Sequence, residues 1–322
     1  PPAQVQPAPR PEPRPDRELA FTGFNGAPLK GSVRAAEGSS WFAVMVAGSG
    51  PTDRDWSSPL LRDPMSNAPL ASHAGRDFAS WLQGQGVGSL RFDKRFIGAK
   101  DPKLDISLDA QVGDIKAALA EARALPEAKG RKLLLIGHSE GALLSLLADG
   151  SADALLLLAL PGRSMAQTIR AQIARQLPTE SAAANLAYLD GAFDAIRKDR
   201  PLPEAGLQVF PSLVRLAKSL LAPESLGFVK DTLDLDPWPL LTRCPVPVAI
   251  AWGGKDIQTW RPDTIPAAYT GAVIELKDAN HLLRRETRDR DQLGAADALT
   301  AYLDGTPQAD LTPLGAWIKS LK

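Results

Sequence analysis

The sequence predicts an α/β layered fold with a mostly parallel central sheet of about eight strands. Three observations carry that prediction. Several short runs are almost wholly apolar, FAVMVA, KLLLI, ALLLLAL and PVAIAW among them. Strands buried on both faces of a parallel sheet have that composition. Helical patterns alternate with these runs. The alternation then breaks over about 80 residues, 162–241, where the chain is helical and rich in Ala, Leu, Arg and Gln. That is too long for a structureless loop. Because the strand pattern resumes afterwards, the stretch reads as a helical cap inserted over one edge of the sheet, with an independent second domain as the alternative.

In order along the chain, the expected strands are Leu19–Phe24, Gly31–Ala35, Trp41–Ala47, Val87–Phe92, Lys132–Ile136, Ala154–Leu160, Pro247–Trp252 and Ala272–Leu276. Helices are expected over Ala71–Gln83, Ser107–Ala124, Glu140–Ala148 and Asp289–Leu303, with Ser107 as an N-cap. This divides the chain into a proline-rich flexible segment (1–18), a first part of the core (19–161), the cap (162–241) and a second part of the core (242–322). The first 17 residues hold seven prolines and little to bury, which favours extended polyproline II. A Pro/Ala-rich spacer at a processed N-terminus often follows a removed secretory signal. Export to the periplasm or beyond is therefore one expectation, and the cytoplasm is the other.

Composition narrows the function. The 322 residues carry 37 basic and 37 acidic side chains, whereas a dedicated nucleic-acid binder shows a basic excess. No apolar run approaches the roughly 20 residues of a membrane-spanning helix. One cysteine, Cys244, excludes an internal disulfide and cysteine-based metal clusters. With only His73, His138 and His281, a multi-histidine metal site is hard to build, and no metal or cofactor is expected.

The chemistry-bearing element is Gly137-His138-Ser139-Glu140-Gly141, a G-x-S-x-G run between a buried strand and a helix. In that context the serine hydroxyl projects from a strained turn, and small residues on either side let neighbouring chain approach. The helix N-terminus favours negative charge, and the Glu140 N–H is placed to stabilise an oxyanion. A tight turn that happens to hold serine is the bland alternative. Serine needs a base. His138 is adjacent and its side chain diverges, and His73 precedes the serine in the chain. His281, in a polar loop after the last strand, is the preferred base; a loop or capping histidine is its bland reading. Asp256, after PVAIAW and the turn GGK, is the preferred acid, giving the order Ser139, Asp256, His281. Asp278 and Asp263 are its rivals. The loop after the first core strand, VMVAGSGPTDRDW, supplies a second oxyanion N–H, with Ser49 as first choice and Gly50 as second. In the charged cluster Asp53, Arg54 and Asp55, Arg54 ion pairs are expected to position that loop, with plain surface charge as the bland reading, and Arg91, Asp93, Lys94 and Arg95 are expected to brace nearby. Trp56, His138, Trp238 and Trp260 are candidates to line a substrate pocket, although a large aromatic is as often plain core.

With these motifs in place, the chain resembles the α/β-hydrolase superfamily over about residues 19–305. It is similar to the esterase/serine-aminopeptidase-like group whose oxyanion loop reads G-S-G-P-x-D-R-D. LRFDKRFIGAKD at Leu90–Asp101, GHSEG at Gly137–Gly141 and WGGKDIQ at Trp252–Gln258 carry the resemblance. There are departures. The D-K-R loop usually continues Gly-Val-Gly-Lys-Ser, but here it reads Phe96-Ile97-Gly98-Ala99-Lys100. The usual HG before the oxyanion loop is Ala47-Gly48. The resemblance implies an α/β-hydrolase fold, no cofactor, and hydrolysis of small-molecule carboxylic esters, with short acyl chains the expectation. Thioester or aminopeptidase-like hydrolysis is the close rival, and an inactive binding protein on the same fold the distant one.

Overall fold

The computed structural model describes residues 16–62, 67, 69–99, 104–148, 150–302 and 306–322. Its strands and helices, in chain order, are β1 (Arg17–Thr22), β2 (Pro28–Arg34), β3 (Trp41–Val46), β4 (Ser58–Arg62), β5 (Pro69–Leu70), α1 (Ala74–Gly84), β6 (Gly88–Phe92), α2 (Leu108–Ala124), β7 (Lys132–His138), α3 (Glu140–Leu147) and β8 (Ala154–Leu158). There follow α4 (Met165–Gln176), α5 (Thr179–Arg197), α6 (Pro211–Leu220), α7 (Pro223–Thr232), α8 (Pro237–Arg243), β9 (Val248–Gly253), β10 (Ala272–Leu276), α9 (Ala295–Thr300) and α10 (Thr312–Ser320).

Eight strands form one sheet in the order β1-β2-β6-β3-β7-β8-β9-β10. β2 runs antiparallel to both its neighbours, and all other pairings are parallel. The alternating direction of strand side chains explains the apolar runs. Phe42, Val44, Leu133, Leu135, Leu155 and Leu157 join Ile115, Leu119 and Leu143 of α2 and α3 on one face. Ala43, Met45, Leu134, Ile136, Leu156 and Leu158 join Phe78, Leu82, Leu314 and Ile318 of α1 and α10 on the other. Both faces are covered, so a central strand has no polar side to show.

The topology also makes a crevice. β3 and β7 are neighbours, but β3 leads through α1 to β6 on one side, while β7 leads through α3 to β8 on the other. The two connections part above the sheet's C-terminal edge, where open α/β sheets bind ligands. Between β8 and β9 stand α4 to α8. Their packing has its own centre in Tyr188, Leu189, Phe193, Ile196, Leu213 and Val229.

Four details differ from the sequence-based expectations. The flexible segment was expected to reach residue 18, yet Arg17 already starts β1, and Asp16 pairs with Arg34 at 2.6 Å and with Arg91 at 2.8 Å. Arg91 is 1% exposed, and a buried guanidinium needs such a partner; residues 1–15 of the segment lie outside the described residues. The first helix begins at Ala74 rather than Ala71, because His73 takes φ 50 at its N-cap. Asp289–Leu303 is not one helix. Asp289 caps a short 3-10 turn, Arg290–Gln292, and Gly294 adopts an extended conformation before α9; Leu303 lies outside the described residues. The β4–β5 pair and α10 were not anticipated at all. β5 is two residues long, which leaves no periodicity to detect.

Candidate active site

Ser139 sits between β7 and α3 with φ 56 and ψ −123. A non-glycine residue at positive φ is strained, by about 1–3 kcal/mol. The turn is held from both sides: the Ser139 N–H donates to Leu158 O at 2.8 Å, and its carbonyl accepts from Ala142 N at 2.9 Å. The flanking glycines are required by close approach. A Cβ on Gly137 would lie 2.3 Å from Gly141 O, and one on Gly141 would lie 2.4 Å from Ala47 O. Both obstacles are backbone and cannot swing away. Gly141→Ala is therefore expected to push α3 off the β3 end, at a cost of about 1–3 kcal/mol. Thermal melts should show Tm falling by roughly 5 °C; an unchanged Tm would refute the packing argument.

Asp256, fully buried, follows β9. Its four hydrogen bonds leave the carboxylate one orientation. Oδ1 accepts from the backbone N–H groups of Gln258 at 2.7 Å and Thr259 at 3.0 Å. Oδ2 accepts from the Thr259 hydroxyl at 3.1 Å and meets His281 Nδ1 at 2.8 Å. Burial alone would raise this carboxyl. The His281 ring, through charge and hydrogen bond, and the two backbone donors outweigh burial and hold it below the ordinary carboxylate value. Among the described residues Asp278 and Asp263 make no hydrogen bond or ion pair with His281, whereas Asp256 does. Thr259 was missed from sequence. It lies 3.2 Å from His281 Nδ1 as well as bonding Asp256, and nothing in its local sequence marks it.

His281 meets the end of β7 at His138, the residue before Ser139. The His138 and His281 rings lie 4.8 Å apart, and His138 Nε2 is 2.7 Å from the His281 carbonyl. Among the described residues no hydrogen bond joins Ser139 Oγ to His281. Burial, the main cause, together with the His281 charge pushes His138 down to about 3. At neutral pH it is uncharged, so Nε2–H donates to the carbonyl and Nδ1 is a bare, buried lone pair without a partner.

This has a consequence for stability. An unfolded histidine takes up a proton near 6.5, whereas His138 in the fold resists until about 3. Its contribution is thus complete above pH 6.5 and is lost as pH falls toward 3, at up to about 1.4 kcal/mol per unit. Asp256 contributes stability only lost below its ordinary value of 3.8. Between pH 6.5 and 4.5, His138→Gln is therefore expected to lose less unfolding free energy than the wild type in urea titrations. Equal losses would show that His138 titrates normally.

The loop after β3 lies against the serine. A Cβ on Gly48 would fall 3.2 Å from His138 Nδ1 and 3.3 Å from Ser139 Cβ. Ser49 and Gly50 follow, both exposed, with Gly50 at φ 69. Thr52 ties the turn, its N–H donating to Gly50 O at 2.8 Å and its hydroxyl to Ser49 O at 2.7 Å. Arg54 braces the loop: its N–H and guanidinium grip the two Asp93 oxygens at 2.9 and 2.8 Å, and Nη1 reaches Glu18 at 2.8 Å. Arg95 forks onto buried Asp114 at 2.7 and 2.6 Å. Lys94 pairs with Glu140, the residue after Ser139, at 2.9 Å and lies 5.6 Å from the Phe96 ring centroid. Asp53 folds back to accept from Asp55 N and Ser57 N.

A family model described as the alpha/beta hydrolase family matches residues 43–295. The chain belongs to that family. Esterase EstD of Thermotoga maritima is 23% identical to this chain over 268 residues, 80% of the chain and 58% of the relative. The chain thus spans little more than half the length of that curated protein. Among solved structures, DcsB in complex with its substrate analogue aligns with TM-score 0.51 and 19% identity, covering 89% of this chain and 98% of that one. The Pyrococcus furiosus esterase Pf2001 aligns with TM-score 0.51 and 16% identity, over 83% and 84% of the two chains. At such identities the structures establish a shared fold.

The expected pocket residues divide. Trp56 is 1% exposed and stacks on His138 at 4.6 Å and on Phe78 at 5.7 Å. Together Trp56 and His138 form a buried, stacked layer rather than a pocket surface, with Trp56 Nε1 and His138 Nδ1 left without hydrogen-bond partners among the described residues. Trp238, half-buried on α8, donates Nε1 to Gly162 O at 3.0 Å and packs edge-on against Tyr269. Trp260 lines a narrow cleft with Gly162, Arg163, Thr168, Gln258 and Thr259. Among the described residues no helix is long and apolar enough to cross a membrane.

Proposed function

We propose that this hydrolase is a serine carboxylesterase acting through an acyl-enzyme on Ser139, with His281 as base and Asp256 as its orienting acid. The single observation that carries the reading is the buried Asp256–His281 pair at 2.8 Å, whose His281 backbone is bonded by His138, the neighbour of the serine at φ 56. His281 takes the Ser139 proton as Oγ bonds to the ester carbonyl carbon. The N–H groups of Glu140 and of Ser49, with Gly50 the second choice, receive the developing oxyanion. His281 passes its proton to the departing alcohol as the C–O bond breaks. Water, deprotonated by the same ring, then releases the acid and restores the serine. The carboxylate of Asp256 keeps His281 in the tautomer with Nδ1 protonated and Nε2 facing the serine.

The finer assignment draws on the loop Gly48–Asp55, whose sequence GSGPTDRD matches the esterase/serine-aminopeptidase-like group, and on the name of the Thermotoga relative. Helices α4 to α8 act as the cap that closes the acyl pocket, and short acyl chains are the favoured substrates. A p-nitrophenyl ester series from C2 to C16 tests this directly. Turnover greatest at C2 to C6 is expected. Inactivity on every ester would overturn the proposal and point to thioesters or amides.

A further inference from the structure

Lysine is seldom buried, because its ammonium must give up hydration. Lys94 is 6% exposed and is the one buried lysine among the described residues. Its ammonium has one hydrogen-bond partner there, Glu140 Oε1 at 2.9 Å, with the Phe96 ring centroid 5.6 Å away. The loop after β6 fixes its reach. On one side Asp93 holds the Arg54 N–H at 2.9 Å and its guanidinium at 2.8 Å. On the other, Arg95 forks onto Asp114 of α2 at 2.7 and 2.6 Å. Lys94 is thus set between two anchored neighbours and spans to α3. Fold stability is a poor reason for such a pair, since the desolvation of two charges offsets most of their attraction.

Glu140 lies in the first turn of α3, next to Ser139. The first N–H groups of a helix have no partner inside it, and the Glu140 N–H donates to nothing among the described residues. The helix dipole draws a carboxylate in that turn toward those N–H groups. They include the donor that the oxyanion requires. A loose Glu140 side chain is therefore an internal competitor for that donor, and a negative charge beside a developing one. The Lys94 charge is also felt at His138, where it adds to the resistance against protonation.

We propose that Lys94 is a positioning residue: it holds the Glu140 carboxylate away from the oxyanion N–H and cancels its charge, so that this donor stays open for the reaction. The inference rests on the esterase reading, which makes the Glu140 N–H an oxyanion donor.

Hydrolysis of p-nitrophenyl butyrate by Lys94→Met and by the double variant Lys94→Met, Glu140→Ala tests it. In Lys94→Met the carboxylate is free, and kcat is expected to fall roughly 10- to 100-fold, at or below the loss that follows removal of an oxyanion donor outright. KM should stay within about threefold, because the effect belongs to the transition state. The double variant removes the competitor as well and should regain at least about tenfold in kcat. A pair that only braces the loop is already broken by the first substitution, so the second would recover nothing. Unchanged kcat in Lys94→Met, or a double variant no faster than Lys94→Met, overturns the inference, while wild-type turnover keeps the esterase reading. Should Lys94→Met not fold, Glu140→Asp and Glu140→Ala give the same comparison. The shorter carboxylate loses Lys94 but keeps its charge, so Glu140→Asp is expected to be at least about fivefold slower than Glu140→Ala; equal rates overturn the inference. If the wild type hydrolyses no ester, the esterase reading fails, and the rate at which a fluorophosphonate labels Ser139 takes the place of kcat. Labelling that slows in Lys94→Met and recovers in the double variant supports the role of Lys94. An equal rate in all three proteins, or no labelling, overturns it.

Discussion

Ser139→Ala is expected to lower kcat/KM for p-nitrophenyl butyrate by about 10⁴- to 10⁶-fold, the range seen when the nucleophile of a cooperating set is removed. The loss should be chemical rather than structural. The Ser139 side chain is small, and its turn is held by backbone bonds to Leu158 and Ala142 that alanine keeps. Alanine carries the same Cβ as serine at φ 56, so the strain of the turn is unchanged and Tm should move by less than about 2 °C. A fluorophosphonate probe adds a covalent readout: it should label the wild type and fail to label the variant. Activity persisting in Ser139→Ala would mean that another group is the nucleophile. Simultaneous loss of activity and of several degrees in Tm would mean that the serine is a packing residue.

The second large effect belongs to Asp256→Asn, expected to reduce kcat about 10⁴-fold with little change in KM. The geometry explains why an isosteric amide fails. Every contact of the Asp256 carboxylate is with a donor: two backbone N–H groups at Oδ1, and the Thr259 hydroxyl with His281 Nδ1 at Oδ2. Asparagine must point its NH₂ at one of these pairs. Toward Gln258 and Thr259 N–H it faces two immovable donors. Toward His281 it forces Nδ1 to accept, which moves the ring proton to Nε2, the nitrogen that must take the proton of Ser139. The latter is the expected outcome, because the His281 ring can change tautomer and the backbone cannot move its hydrogens. Steady-state kinetics with near-wild-type activity in Asp256→Asn would show that His281 is oriented by its own loop and by Thr259.

Much of the site was legible because its parts are local. A strand, a G-x-S-x-G turn and a helix occupy adjacent residues, so Gly137–Gly141 announces itself. The order Ser139, Asp256, His281 follows from loops that succeed particular strands. Thr259 was not legible, since threonine three residues after an aspartate is common, and only the fold of the loop turns its hydroxyl toward both Asp256 and His281. Nor could the sequence tell a pocket tryptophan from a core one. Trp56 and Trp260 are alike on paper. One is stacked between Phe78 and His138, and the other stands at a cleft under two arginines.

By itself the sequence determined the layered class, most strand positions and the candidate catalytic residues, because periodicity and turn chemistry act over a few residues. The tertiary structure alone decided which charges meet. Asp16 lies 75 positions from Arg91 and Arg54 lies 39 from Asp93. Such pairings depend on strand order and crossover, which local patterns do not encode. The same holds for the neutral state of His138. It follows from burial beneath Trp56 and His281, and burial is a property of the assembled fold rather than of any segment of the chain.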